Sequence, residues 1–131
     1  MFNLFSTISP QKAKNLSPVT LAFVGDAVYS LYVREKLVLS TDFNTGTLQK
    51  LTSTEVSAHG QSALLEKILP LFTDEEADIF KRGRNAKKST RSKNASVLEY
   101  NRSTGFEAVL GYLYLTGQYQ RISELLGNDE N

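Results

Sequence analysis

Apolar positions recur along this chain at helical spacing, and no stretch shows the strict alternation of a half-buried strand. The densest block runs from Val19 to Val33, preceded by Ser17 as N-cap and by Pro18, whose missing N–H costs nothing at the first helical position. The pattern predicts a helix from Pro18 to Leu39, apolar on nearly every side and therefore central and surrounded by neighbours. Over 45–69, Leu48, Leu51, Val56, Ala63, Leu64, Ile68 and Leu69 form one stripe, with Gly60 and Thr52-Ser53-Thr54 allowing a break and Pro70 ending the element. Thr73-Asp74-Glu75-Glu76 opens the next helix: Thr73 caps, Glu76 stands at N3, and the acids face the positive end of the dipole. They are read as structural. That short helix packs through Ala77, Ile79 and Phe80 and reaches Gly83.

A further short helix is expected over 95–101, around Val97, Leu98 and Tyr100. Ser103-Thr104-Gly105-Phe106-Glu107 then opens a strongly apolar helix through Leu115 that Gly117 closes. Gln118 to Leu126 reads as a final amphipathic helix with Tyr119, Ile122, Leu125 and Leu126 inward. The lead-in, residues 1–16, offers Phe2, Leu4, Phe5 and Ile8 for packing. The expected fold is all-α, a single domain over residues 1–131 with enough chain for one core.

Composition narrows the chemistry. Without cysteine there is no disulfide, zinc–thiolate site or cysteine nucleophile, and the lone histidine, His59, excludes a multi-histidine metal cluster. A hard cation held by carboxylates remains open. Met1 to Pro10 lacks the form of a signal peptide, and no uncharged stretch reaches membrane-spanning length, so a soluble cytoplasmic protein is expected.

The formal charge of +1 hides an uneven distribution. Residues 81–102 carry Lys81, Arg82, Arg84, Lys87, Lys88, Arg91, Lys93 and Arg102 against Glu99 alone, a local excess of +7, leaving −6 for the rest. A polyanionic partner is motivated by this cluster rather than by the total. The tract interleaves cations with small hydrogen-bonding side chains and has no aromatic residue for base stacking, which suits a loop laid on a sugar–phosphate backbone. His59, between Ser57 and Gln61, is better suited to a hydrogen bond or a backbone phosphate than to metal ligation or general-base work.

Two acids sit where packing would have chosen otherwise. Asp26 interrupts the apolar helix, and an ionised carboxylate is expensive to bury unless a cation or metal meets it. It could pair with an arginine, cap a helix broken at Gly25, or face solvent. Gly25 beside it suits close approach of another backbone. Glu107 begins the second apolar helix, where Thr104-x-x-Glu107 also fits a capping box. If the two helices touch, two carboxylates meet near a basic loop, the combination expected where Mg²⁺ binds and the substrate is a phosphodiester.

Leu21-Ala22-Phe23-Val24-Gly25-Asp26-Ala27-Val28-Tyr29 resembles the signature helix of ribonuclease III domains. Phe106-Glu107-Ala108-Val109-Leu110-Gly111-Tyr112-Leu113-Tyr114-Leu115 resembles their other metal-bearing helix. Lys81-Arg82-Gly83-Arg84-Asn85-Ala86-Lys87 and the Ser103–Glu107 join are closer to one branch, Mini-ribonuclease III. The resemblance covers nearly the whole chain. It implies an all-helical homodimeric endoribonuclease that uses Mg²⁺ to cut double-stranded RNA, with Asp26 and Glu107 as metal ligands that position the attacking water. It further implies maturation of the ends of precursor 23S ribosomal RNA, with a ribosomal protein as a candidate assistant. Longer relatives carry a glutamate and an aspartate where this chain has Ala22 and Thr104, so a leaner metal shell is expected, as in the Mini branch. No double-stranded RNA-binding domain is expected. Affinity then falls to the catalytic domain, its dimer and Lys81, Arg82, Arg84, Lys87, Lys88, Arg91, Lys93 and His59, giving weak, salt-sensitive binding. The alternative is a non-catalytic RNA-binding or ribosome-associated module with the same fold.

Overall fold

The computed structural model describes residues 6–88 and 96–130. Among these residues seven α-helices follow in order: α1 (Pro10–Lys14), α2 (Pro18–Ser40), α3 (Thr45–Val56), α4 (Ser62–Ile68), α5 (Asp74–Asn85), α6 (Val97–Leu115) and α7 (Tyr119–Leu126), with 3₁₀ turns at Leu69–Leu71 and Gly127–Glu130. No strand occurs among the described residues. Most starts obey the local chemistry read above. Ser17 accepts from the Thr20 amide, and Thr73 and Glu76 form the reciprocal capping box, with bonds of 3.1 Å and 2.9 Å.

Helices α2 and α6 form the axis of the molecule, and they cross with almost nothing between them. A methyl group on Gly25 would overlap the carbonyl of Glu107 and lie 2.9 Å from the amide nitrogen of Gly111, while one on Gly111 would overlap the carbonyl of Leu21. Only glycine permits main chains to approach this closely. Around the crossing, Leu21, Tyr29 and Val33 of α2 are buried with Phe106, Leu110 and Leu113 of α6. The Tyr29 and Phe106 rings meet edge to face, centroids 5.2 Å apart. Helix α5 covers another side of α6 through Ile79, Phe80 and Gly83. Helix α7 is fastened to it by Arg121, which donates to both oxygens of the buried Glu76 at 2.8 and 2.9 Å and to the Leu71 carbonyl at 2.7 Å. Burial disfavours the Glu76 carboxylate, but Arg121 and the Thr73 amide outweigh it and hold its pKa below the ordinary range.

The structure departs from the sequence pattern in two places that shape the site. Residues 97–115 form one helix rather than two. Ser96 caps it by accepting from the Glu99 amide, and Thr104 donates to the Tyr100 carbonyl inside the helix instead of starting a new one. Ser103, Thr104 and Gly105 are buried within α6, and Gly105 faces the Phe80 carbonyl of α5. Helix α2, in turn, is not enclosed. Phe23 is 81% exposed, Leu31 55% and Val38 59%, all within about 80° of one another around the helix, so one apolar flank lies open along its length. Of the lead-in, Ile8 is half-buried and its amide donates to the Leu115 carbonyl, whereas Phe2, Leu4 and Phe5 lie outside the described residues.

Candidate active site

Where α2 passes Gly111 and Glu107, the residue after Gly25 falls next to Glu107. Asp26 is exposed rather than buried, and its carboxyl lies beside that of the half-buried Glu107, close enough to act on its ionisation. Of the three readings of Asp26, exposure to solvent holds, whereas α2 runs unbroken through Gly25 and no described arginine pairs with the carboxylate; Asp26 lies beside Glu107 at the open flank of α2. The capping-box reading of Glu107 fails, because Thr104 lies mid-helix and Glu107 is engaged elsewhere. Its Oε2 accepts from the side-chain amide of Gln61 at 3.2 Å. Burial, then the neighbouring Asp26, push the Glu107 pKa up to about 9, while the Gln61 hydrogen bond acts in the opposite direction.

No described lysine, arginine or histidine forms an ion pair with either acid. Two oxygen-donor groups pressed together, one of them resisting ionisation, fit a small hard cation, which would relieve both the repulsion and the desolvation. The described residues hold no group of three or more acids and histidines suited to a metal. Ala22 and Thr104, both buried, occupy the neighbouring turns without adding a carboxylate. A pair of carboxylates is therefore all that these two helices contribute.

The raised pKa has a consequence for stability. A carboxyl with an unfolded pKa near 4.5 and a folded pKa of about 9 favours the folded state fully below 4.5 and progressively less as pH climbs toward 9. Metal-free protein should lose about 1–3 kcal/mol from this group between pH 5 and 8, and Glu107→Gln should flatten that dependence and raise the melting temperature at neutral pH. Thermal melts in chelator across that range measure it; parallel curves for the two proteins would contradict the coupling.

The basic residues are less uniformly available than their spacing suggests. Lys81 and Lys87 are exposed. Arg82 donates to the Lys14 carbonyl at 3.1 Å, and Arg84 lies 5.9 Å over the Phe80 ring. Lys88 folds back and donates to the carbonyls of Gly83, Arg84 and Ala86 at 2.8–3.1 Å, closing the C-terminal end of α5. Its burial lowers its pKa, and as placed it is a helix cap rather than a free phosphate contact. Arg102 pairs with Glu66. Arg91 and Lys93 lie outside the described residues. Gly105, which meets α5, and Glu107 point about 200° apart around α6, so the cations of α5 flank the far side of that helix rather than adjoining the acidic pair.

His59 is better placed. Glu99, Ser103 and Glu107 share one stripe of α6 at four-residue spacing. The segment between α3 and α4 lies along it: His59 Nδ1 meets Glu99 Oε2 at 2.7 Å, Ser62 Oγ donates to the same oxygen at 3.4 Å, and Gln61 reaches Glu107. The His59 hydrogen bond holds the Glu99 pKa below its ordinary value, and the ring is otherwise 81% exposed on the acidic pair's side of α6. Neither the polar character of Gln61 nor its place beside a break in the apolar stripe gave a sign of its burial in the site.

Comparison with known proteins agrees with the two helices. The family model for the Ribonuclease III domain matches residues 19–118. Mini-ribonuclease 3 of Thermoanaerobacter sp. (strain X514) is 46% identical over 112 residues, covering 86% of this chain and 79% of that one. Mini-ribonuclease 3 of Kosmotoga olearia is 42% identical over 130 residues, 98% of this chain and 86% of that one. A crystal structure of a Fusobacterium nucleatum protein superposes with a TM-score of 0.77 at 33% identity, covering 86% of this chain and 90% of that one.

Proposed function

This chain belongs to the Mini-ribonuclease III family, within the ribonuclease III fold, and we propose that it is a Mg²⁺-dependent endoribonuclease of double-stranded RNA. The observation that carries the reading is the meeting of Asp26 and Glu107 at the α2–α6 crossing, with no described lysine, arginine or histidine ion-paired to either. When bound, Mg²⁺ would act as a Lewis acid on the phosphodiester and lower the pKa of water beside it. Asp26, exposed, and Glu107, held from behind by Gln61, would hold the cation between them, with Asp26 on the substrate side and Glu107 ionised. Water then attacks phosphorus in line, the bond to the 3′-oxygen breaks, and the products carry a 5′-phosphate and a 3′-hydroxyl. His59, on the acidic pair's side of α6, contributes a backbone contact near the site, the exposed Lys81 and Lys87 serve only phosphates away from it, and the wide minor groove of A-form RNA is recognised by shape. Trimming the ends of precursor 23S ribosomal RNA, with help from a ribosomal protein, is the cellular role the family suggests.

A labelled RNA duplex and its separated strands, each incubated with Mg²⁺ or with chelator, test the reading. Cleavage confined to the duplex with Mg²⁺, leaving 5′-phosphate ends, is expected; retention of duplex RNA without cleavage would instead favour the non-catalytic binding module.

The open flank of α2 supports a homodimer. Phe23, Ala27, Leu31, Tyr114 and Leu126 line a hollow of about 910 Å³ that also reaches Asp26. Soluble proteins seldom leave so continuous an apolar face uncovered, and a second copy would bring two acidic pairs near the two strands of a duplex. Phe23→Asp, at a position 81% exposed in the single chain, should leave the fold intact and shift the mass seen by light scattering from dimer to monomer. A monomeric wild type would remove this part of the proposal.

A further inference from the structure

We propose that Gln61 is a positioning residue for Glu107, fixing which face of that carboxylate is offered to the metal. The inference rests on the functional reading above. Gln61 is 1% exposed, and its amide nitrogen donates both to the Val56 carbonyl at 3.0 Å and to Glu107 Oε2 at 3.2 Å. The orientation of the amide is determined, because a main-chain carbonyl can only accept; turning the group over would set two acceptors against each other. With both hydrogens committed, the side-chain oxygen Oε1 is buried without a hydrogen-bond partner among the described residues.

Packing alone does not account for this arrangement. A leucine or methionine of similar volume would fill the same space against α6 without burying an unpartnered side-chain oxygen. Part of the explanation is local, since Val56 ends α3 and its carbonyl has no partner within that helix, so Gln61 closes the end of α3. The second hydrogen has no such local use. It crosses from the α3–α4 connection to α6 and engages Oε2 of Glu107, so that the second oxygen is left outside this bond and remains for a cation shared with Asp26. Ligand carboxylates are oriented in this way by hydrogen bonds behind them, and loss of such a bond characteristically weakens metal binding ten- to a hundredfold.

Gln61→Met keeps volume and flexibility while removing both donors. The expected result is a rise of at least tenfold in the Mg²⁺ concentration needed for half of the full metal-induced rise in melting temperature, measured without RNA. The Mg²⁺ requirement for cleavage should rise in parallel, with the KM for duplex RNA unchanged. A role confined to closing α3 predicts a lower metal-free melting temperature and an unchanged Mg²⁺ midpoint, and that outcome overturns the proposal. Should Gln61→Met not fold, the wild-type side-chain amide decides: its two hydrogens should resist solvent exchange, and the one on Glu107 should shift during a Mg²⁺ titration. Hydrogens that exchange freely or ignore Mg²⁺, in a protein that Mg²⁺ stabilises, refute it. A wild type that Mg²⁺ neither stabilises nor activates removes the functional reading and this inference together; a responsive wild type with an equally responsive Gln61→Met removes this inference alone.

Discussion

Asp26→Asn should fold like the wild type and cleave duplex RNA roughly 10³-fold more slowly at saturating Mg²⁺, reflecting loss of a metal-ligating charge. The substitution is nearly isosteric and the position is exposed, so the fold has little reason to object. Removing the charge beside Glu107 also relieves one cause of that group's reluctance to ionise, so the metal-free variant should melt at or slightly above the wild-type temperature. Opposite signs in two assays make the result specific: activity falls while stability holds or rises. Single-turnover cleavage and thermal melts on the same preparation provide both. Wild-type rates in the variant would remove Asp26 from the chemistry.

Gly25→Ala is expected to be the most damaging single-methyl change in the molecule. The added carbon would collide with the Glu107 carbonyl and crowd the Gly111 amide, and both are main-chain groups that cannot rotate aside. Helices α2 and α6 would have to separate, loosening contacts among Leu21, Phe106 and Leu110. Overpacking that must move backbone costs about 1–3 kcal/mol and occasionally more, a large part of the roughly 5–15 kcal/mol that holds a typical domain together. Urea denaturation would register it as a much lower midpoint or as failure to fold. Gly111→Ala strikes the same crossing from the other side, so the double variant should lose less than the sum of the two. A midpoint within experimental error of the wild type for Gly25→Ala would mean that the crossing is looser than its geometry indicates.

Local signals carried much of the fold. Ser17-Pro18 and Thr73-x-x-Glu76 start helices where their chemistry says they should, and Gly117, at φ +76°, closes α6 as its position implied. The join at Ser103-Thr104-Gly105 misled because small polar residues serve equally as caps and as a close-packing surface, and only the approach of Phe80 distinguishes the two. Likewise an apolar circumference on α2 implied burial, but hydrophobicity does not say whether the same chain provides the cover. Asp26 and Glu107 could be paired from sequence because each was a misfit in an apolar helix. Gln61 could not, since a glutamine near a helix break is unremarkable until its burial is seen. Counting cations located an excess of charge but not its direction, and Lys88 turns inward to the end of its own helix.

The glycine crossing also bears on how the molecule breathes. Segments that open by themselves are those held by few contacts, and α1 and the turn after α7 answer to that description better than the junction of α2 with α6. Amide hydrogens near Gly25 and Gly111 then belong to the slowest-exchanging class, released only when the whole domain opens. The acidic pair is mounted on that last-opening unit, so partial fraying of the ends leaves its geometry unaltered, and heat should inactivate the protein at the cooperative transition rather than ahead of it.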